Sequence, residues 1–299
     1  MHYIGIDIGG TSIKAGRIEE SGAVSAVDRT PTPTNDLNAL LESIERLVEG
    51  LQTNTRTSRI GVGIPGLRNC RTGIIETSPH IPSIRGVNLE QRLAERLRLS
   101  VITENDANAG AYGEWACGAG KGLQHIAFIT LGTGLGCGLI LKGTLFRGIS
   151  GYAGEFGHTV VEPGGRPCAC GNIGCLETRV SAKGIVGTAQ EAGFHGGDFT
   201  AEDVYNAAVR GDKLAMEVFK ETGRYLGIAC SNLINLLNPQ AIVIGGGVMA
   251  SANLLLDSAR EEVARRALAP SARDCAIVQS LLWPDAGIIG AAMLARDNS

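Results

Sequence analysis

The chain has 299 residues, 44% hydrophobic and 19% charged, which is typical of a globular protein long enough for about two domains. Its formal net charge of −3 argues against a general nucleic-acid-binding protein, so we expect no nucleic acid among its partners. No apolar run reaches the roughly 18 residues of a membrane-spanning helix, and the N-terminus has no basic signal-peptide region, so we expect a cytoplasmic protein without a membrane partner.

The first third of the chain alternates short apolar strands with amphipathic helices. Apolar runs around a glycine turn predict a hairpin over residues 3–8 and 12–18. Apolar residues at helical spacing predict a helix over 36–51, and a buried strand follows at 59–64. The other elements predicted here are a helix at 88–99, a strand at 101–103 and a helix of small residues after Asn108.

A second strand, glycine turn and strand occupy residues 125–141, and the alignment of Ile8-Gly9 with Leu131-Gly132 suggests two related halves. The further predicted elements are a largely helical stretch at 200–237, a strand at 241–244, a helix at 254–268, a strand at 275–280 and a helix at 287–296. Strands mixed with helices predict an α/β protein. We expect a small domain at 1–115 plus 285–299 and a large domain at 116–284.

Glycine is unusually frequent, with 42 residues, and it clusters at the ends of apolar runs, where backbone can approach a ligand closely. The first cluster is Gly9-Gly10, whose backbone N–H groups can form an anion nest. Thr11 adds a hydroxyl donor, Asp7 is placed to hold Mg²⁺, and Lys14 adds positive charge. The segment fits a phosphate-binding loop, although it also fits a plain hairpin turn.

The second cluster, Gly132-Thr133-Gly134, has the same chemistry at the matching place of the second half. Two such turns facing each other can clamp a triphosphate from both sides, so their joint occurrence favours phosphate binding. Neither turn is a P-loop, since no Gly-Lys-Ser/Thr ends it.

A third cluster, Gly245-Gly246-Gly247 followed by Val248-Met249-Ala250, fits the G-x-G-x-x-A pattern of dinucleotide-binding folds. An NAD-dependent dehydrogenase is therefore a rival interpretation. The predicted helix nevertheless covers the position about 20 residues on, where a strand-end acid should hold the ribose. The glycines also fit beside the adenine or ribose of another nucleotide, or a tight turn from strand to helix.

The segment Glu104-Asn105-Asp106 follows a short buried strand, and ligands bind at strand ends in α/β sheets. Asp106 can accept the proton of a substrate hydroxyl as that oxygen attacks a terminal phosphate. The competing interpretation is that Asn105 or Asp106 only caps the following helix.

One imidazole and three thiols lie close together in the sequence: His158, Cys168, Cys170 and Cys175. Thiolates with one imidazole suit tetrahedral Zn²⁺, and four protein ligands make a closed, structural site. Reduced thiols and a disulfide are the alternatives. The other cysteines lie in apolar surroundings and are expected to be small buried side chains: Cys70, Cys117, Cys137, Cys230 and Cys275.

Two acids flank this cluster, Glu155 before it and Glu177 after it. A sugar ring needs several converging acceptors for its hydroxyls, and these acids can supply them together with Asn105 and Asp106. His158 can hold zinc through one nitrogen and face a sugar hydroxyl with the other. The alternative is that the two glutamates are surface residues on loops.

Over nearly the whole chain, these motifs and their order resemble the ROK family, whose name covers repressors, open reading frames and sugar kinases. The most specific part is the Gly-Glu-x-Gly-His segment joined to the cysteine segment. The motifs that carry the resemblance are Asp7-x-Gly-Gly-Thr11, Glu104-Asn105-Asp106, Leu131-Gly-Thr-Gly134, Gly154-Glu-x-Gly-His158, Cys168-x-Cys-Gly-x-x-Gly-Cys-x-Glu177 and Gly245-Gly-Gly247.

The resemblance implies an actin-like ATPase (ribonuclease H-like) fold, with two α/β domains around a cleft, a zinc-binding loop and a final helix packed on the first domain. It implies an ATP- and Mg²⁺-dependent kinase that phosphorylates a hexose at its 6-hydroxyl, with Asp106 as general base. To the sugar we assign Gly66, Asn105, Asp106, Glu155, His158 and Glu177. To structural Zn²⁺ we assign His158, Cys168, Cys170 and Cys175. To ATP and its phosphates we assign Asp7, Gly9, Gly10, Thr11, Lys14, Gly132, Thr133, Gly134, Gly245, Gly246 and Gly247.

Family repressors carry an N-terminal helix-turn-helix, whereas the phosphate loop here begins at Asp7, so we expect the kinase branch, glucokinase-like and forming a homodimer or homotetramer. One departure is Ser78-Pro79-His80, where family glucokinases often have Ser-Pro-Asn. If this loop rims the sugar, His80 and Arg85 alter the preference. Glucose is the first expectation. The alternatives are N-acetylmannosamine, N-acetylglucosamine, fructose or allose as substrate, polyphosphate as donor, or a non-catalytic sugar-sensing regulator.

Overall fold

The structure is a computed structural model that describes residues 1–52, 57, 59–194 and 198–298. His195, for which the sequence predicts a structural or exposed role, lies outside these residues. The chain divides into two compact units. The first contains Met1–Gln124, Gly138–Gly154 and Ser280–Ser299, and the second contains His125–Cys137 and Glu155–Gln279. Within the described ranges, no helix is both long and apolar enough to cross a membrane.

Strands and helices alternate along the chain. The strands are β1 (His2–Ile8), β2 (Ser12–Glu19), β3 (Val24–Pro31), β4 (Arg59–Ile64), β5 (Leu67–Arg68), β6 (Ile75–Thr77), β7 (Ser100–Asn105), β8 (His125–Leu131), β9 (Leu135–Leu141), β10 (Thr144–Leu145), β11 (Ala241–Gly245) and β12 (Ala276–Gln279). The helices are α1 (Leu37–Leu51), α2 (Leu89–Leu97), α3 (Asp106–Cys117), α4 (Glu177–Val180), α5 (Ala182–Glu191), α6 (Ala201–Val209), α7 (Lys213–Leu237), α8 (Ala252–Arg266), α9 (Ala269–Asp274) and α10 (Ala286–Asp297). Short 3₁₀ turns occupy Pro82–Ile84, Phe156–His158 and Gly247–Ser251.

The two large sheets share one plan. The first has the strand order β3-β2-β1-β4-β7, with antiparallel β3, β2 and β1 followed by parallel β4 and β7. The second has the order β10-β9-β8-β11-β12, in which β11 is parallel to both β8 and β12. The corresponding orders agree with the related halves suggested by the two strand–glycine–strand segments.

One face of the first sheet packs on an apolar core. Ile4, Ile6 and Ile8 of β1 are fully buried there against leucines of α1 and α2. Because side chains alternate along a strand, the intervening residues Gly5 and Asp7 point to the opposite face.

On that opposite face, three glycines in register form a row across β2, β1 and β4, namely Gly16, Gly5 and Gly61. A Cβ on Gly5 would lie 1.8 Å from the carbonyl oxygen of Ile288, and a Cβ on Gly61 would lie 1.8 Å from that of Ala291. Helix α10 therefore rests directly on the sheet backbone. This is the packing on the first unit that the family resemblance implies for the final helix.

The segment 138–154 belongs to the first unit, whereas the division expected from sequence places it in the domain 116–284. Side-chain and backbone bonds account for its position. Arg147 forms an ion pair with Glu104 at 2.5 Å, and the Cys70 N–H donates to the Ser150 carbonyl at 2.9 Å. These partners are distant in sequence, so no local pattern indicates the assignment.

Among the further differences from the sequence prediction are one strand and one helical stretch. Strand β3 was not predicted, because most of its residues are exposed and give no alternation of apolar side chains. The helical stretch 200–237 is two helices, α6 and α7, which are separated at Gly211 by a positive φ of 88°. Such a conformation favours glycine and ends a helix.

Candidate functional site

The carboxyl ends of β1, β4 and β7 meet at one edge of the first sheet. Asp7 pairs in register with Gly63, and Gly63 pairs with Glu104. A Cβ on Gly63 would lie 3.5 Å from Asp106 Cα and 3.6 Å from Asp7 Oδ1. The two aspartates that the sequence singles out therefore lie on either side of a glycine, at the edge where α/β sheets bind ligands.

Asp106 is the first residue of α3, and its neighbours fix this turn. The side chain of Asn105 caps the helix by accepting from the Asn108 N–H at 3.1 Å, and its amide donates to the Gly66 carbonyl at 3.3 Å. Asp106 Oδ1 accepts from the Ala107 N–H at 2.9 Å. The structure thus brings together the three residues of the first unit that we assign to the sugar.

Glu104 belongs to the segment Glu104-Asn105-Asp106, but the sequence assigned it no role of its own. It is 6% exposed, and its Oε1 accepts from the Asn105 N–H at 2.9 Å and the Asn108 amide at 3.0 Å. Its Oε2 accepts from Arg147 Nε at 2.5 Å. The available signal was an acid in an otherwise buried strand, since a buried carboxylate requires partners of this kind.

The first glycine turn is closed by its own backbone and by Thr32. The Gly9 N–H donates to the Ser12 carbonyl at 3.0 Å, while the Thr32 hydroxyl donates to the Gly9 carbonyl at 2.7 Å. The Thr32 N–H donates to the Thr11 carbonyl at 3.0 Å. Gly10 and Thr11 are exposed at the tip of this turn.

Lys14, assigned from sequence to phosphate, is buried and bonded within its own unit. Its ammonium forms a short ion pair with Asp285 and donates to the Pro284 carbonyl at 2.7 Å. Asp285 directly precedes α10, so Lys14 ties β2 to the start of that helix.

The environment of Asp7 fits a cation ligand. Burial raises the pKa of Asp7 to about 6, and the charge of Lys14 acts in the opposite direction. A Cβ on Gly287 would lie 2.9 Å from Asp7 Oδ2, so two glycines, Gly63 and Gly287, leave room around the carboxylate. A carboxylate oxygen is a ligand that Mg²⁺ prefers, and a nearby cation favours the ionised form.

In the second unit, the structure brings the other two glycine clusters together. Gly245 pairs with Thr130 at the ends of parallel strands β11 and β8. Gly246 has a φ of 96°, and a Cβ there would lie 2.2 Å from the Leu131 carbonyl oxygen, so only glycine fits beside the second turn. That turn is closed by the Gly132 N–H, which donates to the Gly134 carbonyl at 2.9 Å.

The geometry after Gly247 argues against the dinucleotide pattern. A 3₁₀ turn separates the glycines from α8, which then continues to Arg266. The position where a strand-end acid would hold a ribose therefore lies within a helix.

Glu155, His158 and Glu177 also lie close together. Glu177 Oε2 accepts from the Leu135 N–H at 2.8 Å and lies beside Gly134. His158 Nε2 is 3.9 Å from Glu155 Oε2. Desolvation raises the pKa of Glu155, His158 lowers it and Glu177 raises it, as expected for carboxylates that share one small region.

The zinc candidates His158, Cys168, Cys170 and Cys175 have ligand atoms within 4.8 Å of one another. His158 Nδ1 is 3.6 Å from Cys168 Sγ, and Cys170 Sγ is 3.7 Å from Cys175 Sγ. A tetrahedron with Zn–S of about 2.3 Å and Zn–N of about 2.05 Å has edges of about 3.8 Å (S···S) and 3.6 Å (N···S). The four donors therefore fit tetrahedral zinc, with Nδ1 as ligand and Nε2 towards Glu155.

The structure argues against the disulfide alternative. All eight cysteines lie in the described part of the chain, and none of them is joined to another by a disulfide. Cys137, Cys230 and Cys275 are buried as expected, and Cys117 is partly buried. The expectation was wrong for Cys70, which is exposed because it lies in a surface turn whose backbone bonds to the segment 138–154.

Comparison with known proteins gives a consistent result. A model of the ROK family matches residues 3–298. The chain is 38% identical to a glucokinase of Halalkalibacterium halodurans, covering 99% of this chain and 95% of that protein. It is 35% identical to a glucokinase of Streptomyces coelicolor, covering 98% and 97% of the two chains.

A solved structure extends the comparison to the fold. A ROK family glucokinase from Streptomyces griseus, in complex with glucose and AMPPNP, matches with a TM-score of 0.88 at 33% identity and 99% coverage of both chains. The expected α/β, actin-like ATPase fold is thereby confirmed. Since the family model spans nearly the whole chain and full-length relatives exceed 30% identity, the protein belongs to the ROK family.

Proposed function

We propose that the protein is an ATP- and Mg²⁺-dependent hexose kinase that transfers the γ-phosphate to the 6-hydroxyl of glucose. The observation that carries the proposal is the position of Asp106 at the start of α3. Asp106 lies next to Gly63, and Asp7 lies on the other side of that glycine. This pair supplies a base for a hydroxyl and an oxygen ligand for a cation in one place. The similarity to glucokinases supports glucose as the substrate.

Asp106 is proposed as the general base. The Ala107 N–H and the capped turn hold its carboxylate in one orientation. It would accept the proton of the sugar 6-hydroxyl as that oxygen attacks the terminal phosphorus. Positioning and charge neutralisation supply most of the acceleration in phosphoryl transfer, so a modest base suffices.

Residues of both units are proposed to bind the sugar and ATP. Gly66 and Asn105 of the first unit, and Glu155, His158 and Glu177 of the second, are proposed to bind sugar hydroxyls. Backbone N–H groups of three glycine clusters are proposed to bind ATP and its phosphates: Gly9-Gly10-Thr11, Gly132-Thr133-Gly134 and Gly245-Gly246-Gly247. Lys14 would act on the phosphates only indirectly, because its ammonium is engaged by Asp285.

Two ions complete the proposal. Asp7 would hold Mg²⁺, which neutralises phosphate charge when bound. His158, Cys168, Cys170 and Cys175 would hold a structural Zn²⁺, which fixes the loop that precedes Glu177.

A coupled ADP-release assay tests the function directly. The sugar panel should contain glucose, mannose, fructose, allose, N-acetylglucosamine and N-acetylmannosamine, each with ATP and with polyphosphate. The highest kcat/KM is expected for glucose with ATP. Failure with every hexose would reject the kinase, whereas a preference for another sugar would reject glucose alone. The cytoplasmic location and the homodimer or homotetramer stay predictions, the latter checked by light scattering.

A further inference from the structure

Arg166 uses all five N–H groups of its guanidinium. Nε and Nη2 form a fork on the Glu191 carboxylate at 2.7 and 2.6 Å. Nη1 donates to the carbonyls of Thr178 and Gly184 at 2.7 and 2.9 Å, and Nη2 also donates to the Thr188 hydroxyl at 3.0 Å. Only arginine offers five donors in one fixed plane, so no other side chain reproduces this set.

The surroundings are built for this group. The Arg166 side chain is only 17% exposed, and a Cβ on Gly187 would lie 3.0 Å from its Nη1. The hydrogen bond from Arg166 is the largest cause that lowers the pKa of Glu191 to about 2. The guanidinium is thus mostly shielded from water, although its partner Glu191 is 55% exposed, and a shielded charge is stabilised when it is paired and fully hydrogen-bonded.

The partners of Arg166 lie on the two helices that follow the cysteines. Thr178 is the second residue of α4, directly after Glu177, whereas Gly184 and Glu191 belong to α5. The Glu177 carboxylate in turn accepts from the Leu135 N–H. By bonding both helices, Arg166 fixes the turn of chain from which Glu177 projects.

The backbone of Arg166 closes the zinc loop, defined as residues 166–175. Its carbonyl accepts from the Gly174 N–H at 2.8 Å, across a loop that contains Cys168 and Cys170. At the end of the loop, the Cys175 carbonyl accepts from the Thr178 hydroxyl at 2.7 Å. One residue therefore joins the base of the loop to the helix that carries Glu177.

We propose that Arg166 is a positioning residue for sugar binding, which couples the zinc loop to the Glu177 carboxylate. The inference rests on the proposed function for its sugar readout and on the four-ligand cluster for its metal readout. It requires the planar fork of arginine, so a positive charge alone does not suffice.

The test compares Arg166→Lys and Arg166→Ala with the control Arg224→Ala. Arg224 forms a comparable fork with Glu221 within α7, at 2.7 Å for both bonds, and does not bond α4. We measure KM for glucose and for ATP, and the rate at which a chelator removes zinc from the purified protein. Glu191→Gln, which keeps the shape of the partner, is added as a milder variant.

Both Arg166 variants are expected to raise KM for glucose by about 10- to 100-fold, the range found for residues that orient a site's ligands, and to speed zinc loss. Glu191→Gln should change both readouts in the same direction by less. Because Glu191 also accepts from Arg179 Nη1 at 2.9 Å, Arg166→Lys decides the matter if Arg166→Ala does not fold. Wild-type values in Arg166→Lys, or equal effects in Arg224→Ala, would overturn the inference. If the wild-type protein phosphorylates no hexose, the proposed function fails, and zinc release still decides the coupling.

Discussion

His80 packs directly on Gly10, with its Cβ 3.0 Å from the position that a Cβ on Gly10 would occupy. From sequence, His80 would alter the sugar preference if its loop rims the sugar. The contact instead places it against the turn proposed to bind phosphate. Lys14, whose positive charge the sequence assigns to this turn, is engaged by Asp285.

His80→Ala is therefore expected to raise KM for ATP by about 2- to 10-fold, the equivalent of one hydrogen bond, with little change in KM for glucose. Steady-state kinetics with each substrate varied in turn give both values. Arg85→Ala is the control, because Arg85 is exposed at the end of the next short turn. A change confined to glucose would restore the sugar-rim interpretation.

Asp106→Asn should lower kcat by about two to four decades if Asp106 is the general base. Asparagine keeps the oxygen that accepts from the Ala107 N–H, so the fold and the KM for glucose should change little. The coupled ADP-release assay measures kcat and the KM for glucose, and circular dichroism checks the fold. A variant with more than about a tenth of wild-type kcat is incompatible with this role.

Asp7→Asn should stabilise the protein in the absence of Mg²⁺ while abolishing Mg²⁺-dependent activity. The pKa of Asp7 is raised from 3.8 to about 6, so ionisation costs stability as pH rises through this interval. Above pH 6 the cost is at most about 3 kcal/mol, reduced by the partial exposure of the side chain. Urea unfolding at pH 8 and pH 5 should show that the variant's gain in unfolding free energy is smaller at pH 5. A gain that is independent of pH would contradict the raised pKa of Asp7.

Cys170→Ser should lose zinc and lower the thermal stability of the second unit. Loss of a direct ligand should lower the zinc affinity by more than the roughly 10- to 100-fold that is typical when a residue bonded to a ligand is lost. Metal analysis by mass spectrometry and a melting curve measure the two effects. Cys70→Ser is the matched control, since Cys70 is a free, exposed thiol outside the cluster. Equal zinc content in both variants would rule out the four-ligand site.

Gly61→Ala should destabilise the protein by about 3 kcal/mol or more. The added Cβ would lie 1.8 Å from the Ala291 carbonyl oxygen, and relieving this clash requires the backbone of α10 or of the sheet to move. Gly50→Ala is the control. Gly50 lies in α1, where a Cβ would meet, among the described residues outside its own helix, only Asp28 Oδ2, at 3.9 Å, so alanine should stabilise by about 0.5–1 kcal/mol. Denaturant unfolding of both variants tests whether α10 rests on the sheet backbone.

Much of the fold could be predicted from local patterns. An apolar run that ends at a glycine turn indicated β1, and apolar residues at helical spacing indicated α1, because both patterns reflect burial. The exposed strand β3 and the break at Gly211 were missed. Neither leaves an apolar period, so periodicity could not find them.

The candidate site divides in the same way. The sequence by itself determined which residue types are available: the four zinc donors, the glycine clusters, and Asp106 after a buried strand. Only the tertiary structure decided that Lys14 is bonded to Asp285, that His80 lies on Gly10, and that Arg166 holds the helix after Glu177. The physical reason is the sequence separation of the partners. Composition and spacing reflect interactions between residues a few positions apart, whereas these partners meet only when separate segments of the chain pack together.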